Sequence, residues 1–187
     1  LMRELYTATE AVFRGGRGSD AAAALRRYQE NAAYDARVRL ARANPAAEAW
    51  GDAMEDAYFT AFDDQEVQTH ARLSVAAGSG AASAAEGRVR ADLNASEVVV
   101  AAADRPRLFV DLAEAITAAG ANVVGARVFT CKQGQALDIF YMQDVTGQPF
   151  GGVDARALFS REHVEKQRGQ PGIGRCLGGH DPPPFIA

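Results

Sequence analysis

Val100-Ala101-Ala102-Ala103-Asp104-Arg105-Pro106-Arg107-Leu108-Phe109 is the stretch on which the reading of this chain turns. An apolar run suited to a buried strand passes through an Asp-Arg-Pro turn into a segment where Leu108, Leu112 and Ile116 share one helical face. Asp104 can cap that helix, and Pro106 suits a first turn whose NH groups have no intrahelical partner. Such exposed NH groups attract an anionic group, an amino acid carboxylate being one. Asn122 follows the helix at the start of the next strand, and its amide offers both a donor and an acceptor, suited to an amide or ammonium group. The bland reading stands beside this one: Asp104 is only a cap and Asn122 only a turn residue.

Working outward, Glu97 to Ala103 forms the strand before the turn, and the helix runs from about Pro106 to Ala119 with Gly120 as its C-cap. Asn122 to Thr130 and Ala136 to Val145 are two strands joined by the tight turn Lys132-Gln133-Gly134-Gln135, a hairpin. Asp154 to Lys166 has the composition of one more helix. Strand, helix, strand, strand, helix is the beginning of a βαββαβ unit of the ferredoxin-like type, an α+β fold. Its closing strand is missing, because Arg168 to Ala187 is rich in Gly and Pro and carries no strand pattern. Either the sheet stays short, or Arg88 to Leu93, which alternates polar and apolar residues, fills the vacant edge.

The upstream half has a different composition. Residues 1–78 are rich in Ala, Arg, Glu and Leu, which favour helix. Helices are expected over about Leu1 to Arg14, Ser19 to Asn44, Ala46 to Phe62 and Asp64 to Ala76, the last capped by Asp63 or Asp64. Trp50, Tyr58, Phe59 and Phe62 recur at helical spacing and read as core. The arginines at 26, 27, 37, 39 and 42 alternate with acids and read as a solvated face. A helical region at 1–78, a linker at 79–86 rich in Ala, Gly and Ser, an α+β domain at 87–166 and an atypical tail at 167–187 complete the organisation. The opening residues already read as helix, as if the chain begins inside something larger.

Composition narrows the function. The 187 residues carry a net charge of -4, which disfavours nucleic acid as a partner. Only Cys131 and Cys176 are present, too few for a disulfide framework, and the expected location is cytoplasmic. No run approaches the ~20 apolar residues of a membrane span. Gly16-Arg17-Gly18-Ser19-Asp20-Ala21 matches the dinucleotide fingerprint as text, but a helix rather than a strand precedes it. Gly18-Ser19 resembles the opening of a nucleotidyltransferase site, yet no Asp-x-Asp pair follows to hold Mg²⁺. His180-Asp181 lacks further ligands, and His70 and His163 are isolated packing or surface residues. No catalytic or metal-binding residues are assigned.

Several blocks in order carry a resemblance: Asp104-Arg105-Pro106-x-Leu108-Phe109, Ala118 to Val124, Ala126 to Thr130, Gly134-x-Ala136-Leu137-Asp138-x-Phe140 and Asp144-x-x-Gly147. The chain resembles an ACT domain, most closely the first ACT domain of the bifunctional PII uridylyltransferase/uridylyl-removing family of bacterial nitrogen metabolism. Leu1 to Tyr6, Asp56 to Phe59 and His70 to Leu73 are similar to that family's segment between its hydrolase domain and its ACT pair. The resemblance implies a regulatory fragment of a nucleotidyltransferase with hydrolase activity, which uses Mg in its full-length form. It implies glutamine sensing and control of UMP transfer to, and removal from, the PII signalling protein. Asp104, Arg105, Pro106, Leu108 and Asn122 fall at its ligand-binding positions, with ACT–ACT pairing as a further contact. Arg107 stands where many ACT domains have Gly, and the sequence after about Asp154 departs from the family. A pure interaction module that dimerises without a small ligand is the other reading.

Overall fold

The computed structural model describes residues 18–79 and 83–151. The expected helices at 1–14 and 154–166, the tail, Cys176, His163 and His180-Asp181 lie outside them.

The upstream region is helical. α1 spans Gly18–Ala43, a 3-10 turn Pro45–Ala47, α2 Glu48–Ala53, α3 Asp56–Phe59 and α4 Asp64–Gly78. α4 opens on a full capping box, in which Asp63 accepts from the Glu66 NH and Glu66 accepts from the Asp63 NH. The single helix expected over Ala46 to Phe62 is broken. Met54 is extended, with ψ 147°, because Arg37 from α1 gathers the groups on both sides of the break. Its guanidinium donates to the Gly51 and Met54 carbonyls at 3.0 and 2.7 Å and to Asp56 at 2.8 Å, and it stacks 4.7 Å over Phe59. Those bonds replace the helical ones that residues 51–56 give up. Arg37 is therefore a half-buried clamp and not part of a solvated face. Trp50, Tyr58 and Phe59 are buried as expected, with Phe62 packed against them.

Downstream stands a four-stranded antiparallel sheet of β1 Ser83–Arg90, β2 Ala95–Ala103, β3 Asn122–Thr130 and β4 Gln135–Gln143, in the order β1-β2-β4-β3. α5, Leu108–Ala118, crosses from β2 to β3, and β4 inserts between those two strands. This is the split βαβ arrangement of a ferredoxin-like fold. The open edge beside β2 is filled from upstream, since β1 pairs with β2 from Ser83↔Ala102 to Arg90↔Ala95. The strand thus begins inside the stretch read as linker 79–86. Its Ala- and Gly-rich sequence has little strand propensity of its own, and the ladder with β2 imposes the conformation.

Each face of the sheet is covered by a different layer. Val98, Val100, Ala136, Phe140 and Met142 pack under α5 with Leu108, Leu112 and Ile116. Val99, Leu137 and Ile139 face the helical region with Leu73, Val67 and Tyr58. β2 is buried along nearly its whole length.

Charge also ties the two halves together. Glu97 of β2, 2% exposed, accepts from Arg88 Nε at 2.5 Å and Arg90 Nη1 at 2.9 Å. Both arginines also reach Glu66 of α4, at 2.7 and 2.8 Å. Two carboxylates, one on the sheet and one on the helix, therefore share the two arginines of β1.

Candidate functional site

The β2–α5 turn is built by the hairpin beside it. The Asp104 NH donates to the Gly134 carbonyl at 2.9 Å, which fixes the end of β2 against the β3–β4 turn. Asp104 does not cap the helix. α5 begins at Leu108, its N-cap is Arg107, and no side chain satisfies the cap. Arg107 adopts φ +68°, a conformation that favours glycine, so its place at a position often glycine carries a backbone strain. Pro106 disfavours helical backbone at Arg105, the residue before it, so the helix does not extend back to Asp104.

Asp104, Arg105, Pro106 and Arg107 are all exposed at this turn, whereas Leu108 is buried in the α5 core. Leu108 anchors the turn from below and is 7% exposed. Arg105 Nη1 donates to Asp111 Oδ2 at 2.6 Å, and Arg107 lies 3.8 Å from Asp111 and 3.7 Å from Glu114. Asp111, in the first turn of α5, thus already occupies part of the positive field at the helix start.

Asn122 is elsewhere. It opens β3 opposite Gln143, at the far end of the sheet from the Asp104–Gly134 contact. The 11 residues of α5 separate the two sites by ~16 Å at 1.5 Å per residue. A single amino acid spans ~7 Å, two steps of extended chain. Within one copy, the turn and Asn122 do not meet on one small ligand. β3 is an edge strand among the described residues, and Val123, Val124 and Val128 along it are exposed.

One residue given no role in the sequence lies opposite Val100 of β2. Asp138 of β4 is buried on the α5 face, and Oδ1 has no hydrogen-bond partner among the described residues. Burial, followed by the nearby charge of Asp104, pushes its pKa up to about 6. An acid at a core-facing position of an alternating strand was the available signal. His70 is a buried packing residue bonded to Tyr58. Among the described residues no group of three or more His, Cys, Asp or Glu is placed to hold a metal ion, and no helix is long and apolar enough to cross a membrane.

Sheet order and the split βαβ crossover define an α+β, ferredoxin-like module. The particular family follows from sequence comparison. Over 158 residues, 84% of its length, the chain is 79% identical to the bifunctional uridylyltransferase/uridylyl-removing enzyme of Phenylobacterium zucineum strain HLK1. It is 60% identical over the same share to the enzyme of that name from Caulobacter vibrioides strain NA1000, and 35% identical over 79% of its length to that of Azospirillum brasilense. The chain corresponds to a segment of a bifunctional uridylyltransferase/uridylyl-removing enzyme, spanning 16 to 17% of the length of these relatives. No family model matches the chain, and no solved structure does.

Proposed function

We propose that this segment is a glutamine-sensing ACT unit, through which UMP transfer to the PII signalling protein, and its removal, follow the glutamine supply. The observation that carries the reading is the exposed β2–α5 turn, with Asp104 and Arg105 beside the start of a helix, in a chain 79% identical to a uridylyltransferase/uridylyl-removing enzyme. The ligand carboxylate meets the exposed start of α5 beside Arg105 and Arg107, where the Leu108 NH is already bonded to the Arg105 carbonyl at 3.1 Å. Asn122 takes the polar group at the other end of the ligand.

Because those elements lie ~16 Å apart in one copy, the second half of the site comes from a second copy. Two ACT units paired by a twofold axis each present a turn to the other's Asn122. Calorimetry with glutamine on the wild-type chain and on Asn122→Ala tests the reading. Heat from the first that is lost in the second supports it; no heat from either removes it.

The exposed valines of the β3 edge favour a second reading, a module that pairs without a small ligand. Sedimentation would then show concentration-dependent dimers whose population glutamine does not change.

A further inference from the structure

Nothing in the local sequence breaks the helix between α2 and α3. No proline lies between Ala46 and Phe62, Gly51 is the one glycine there, and Trp50, Met54, Tyr58 and Phe62 keep the i, i+4 spacing of a continuous helix. A helix through residues 48–59 would bond the NH groups of Glu55, Ala57 and Tyr58 to the carbonyls of Gly51, Ala53 and Met54. All three carbonyls are taken by donors from elsewhere in the chain. Arg37 Nε donates to the Gly51 carbonyl at 3.0 Å and Arg37 Nη2 to that of Met54 at 2.7 Å. The Lys132 NH, in the β3–β4 turn, donates to the Ala53 carbonyl at 3.2 Å. Outside donors set into the helical ladder interrupt it.

The turn that supplies the third donor is itself held on two sides. Its Gly134 carbonyl accepts from the Asp104 NH at the end of β2, at 2.9 Å, and the Gln133 side chain donates to the Ala49 carbonyl of α2 at 3.2 Å. Gln135, the first residue of β4, donates to the Ser74 carbonyl of α4 at 2.9 Å. One short turn of the sheet therefore touches the β2–α5 turn, α2 and α4.

Two arrangements satisfy the same carbonyls: the broken one with outside donors, and a joined one with the helix's own NH groups. They differ at Trp50. In the broken arrangement its ring stands edge-on to that of Tyr58, with centroids 5.6 Å apart. On a joined helix those two residues lie ~12 Å apart along the axis.

We propose that residues 51–58 form a two-state joint, held broken by Arg37 and the β3–β4 turn and closing into one helix when that hold is withdrawn. The joint converts the position of a turn in the sheet into the path of the helical region. It goes beyond the glutamine reading and requires no ligand.

Amide exchange followed by NMR on the 187-residue chain tests the joint with three substitutions. Lys132→Pro deletes the turn's donor at an exposed position, and Arg37→Met deletes the guanidinium donors while keeping an apolar stem. Glu55→Pro locks the break: φ -71° at Glu55 and ψ 147° at Met54 both suit a proline at 55, whereas a helix interior excludes it. Lys132→Pro and Arg37→Met are each expected to slow exchange of the Ala57 amide at least ~10-fold and to abolish the nuclear Overhauser contact between the Trp50 and Tyr58 rings, with β2 amides as in wild type. Adding Glu55→Pro is expected to restore both the wild-type exchange at Ala57 and the ring contact. Unchanged or faster exchange at Ala57 in both single variants overturns the joint. So does a slowing that survives Glu55→Pro. Should Arg37→Met unfold the chain, Lys132→Pro alone decides by the same two criteria.

Discussion

Tyr58 Oη and His70 Nδ1 share a hydrogen bond of 2.8 Å in the buried interface between α3 and α4. Burial holds both groups neutral. It raises the Tyr58 pKa well above the ordinary phenol value and pushes that of His70 down to about 4. Tyr58→Phe leaves the imidazole nitrogen unpaired at little change in volume, and is expected to cost about 1 to 3 kcal/mol in urea unfolding. A midpoint equal to wild type would show that the bond contributes nothing.

Acid stability carries two opposing signs. His70 is neutral in the folded chain down to about pH 4, while the unfolded chain takes up a proton near 6.5, so its contribution is complete above pH 6.5 and is lost as pH falls toward 4. Asp138, raised from 3.8 to about 6, does the reverse: its contribution is complete below 3.8 and is lost as pH rises to 6. The wild type should therefore change little between pH 6 and 4 on account of these two groups. Asp138→Asn should be more stable than wild type at pH 7, by on the order of 1 to 3 kcal/mol, and should lose most of that advantage by pH 4.5. Unfolding curves at the two pH values check this, and an advantage of equal size at both would contradict it.

Arg107 gives a test of backbone strain. At φ +68° a glycine is at ease and an alanine is not. Both substitutions remove the same long contacts to Asp111 and Glu114, at 3.8 and 3.7 Å, so that loss cancels between them. Arg107→Gly is therefore expected to be about 1 kcal/mol more stable than Arg107→Ala in thermal or urea unfolding. The opposite order would mean that the turn relaxes in solution.

Glu97 and Glu86 are both acids paired with arginine, yet their burial sets them apart. Glu97→Ala leaves Arg88 and Arg90 facing each other beneath α4 without the buried carboxylate, at an expected cost of about 2 to 4 kcal/mol. Arg72→Ala removes the exposed partner of Glu86 and should cost under ~1 kcal/mol. Similar losses in the two variants would mean that the Glu97 cluster does not hold α4 to the sheet.

Local pattern explains why some of this was legible in the sequence. The apolar stripe Leu108, Leu112, Ile116 marked α5, and the alternation around Gly134 marked the hairpin, because those signals come from residues near in sequence. The break at Met54 is different: the i, i+4 spacing from Trp50 to Phe62 satisfies a helix, and Arg37, fourteen residues or more away, overrides it. β1 is held by Glu97 and by the ladder with β2, so Ser83 to Glu86 read as linker when taken alone. At the candidate site the turn residues were visible, whereas the distance to Asn122 depends on the direction of α5, and the isolation of Asp138 depends on what covers it.

The most direct test of the two-copy glutamine site mixes two damaged chains. Asn122→Ala and Asp104→Ala should each fail to bind glutamine alone. When they are mixed in equal amounts and allowed to exchange, half of the pairs combine the intact turn of one chain with the intact Asn122 of the other, restoring about a quarter of the wild-type sites in calorimetry. A mixture that stays silent while the wild type binds, or a single variant that binds as the wild type does, would contradict the account.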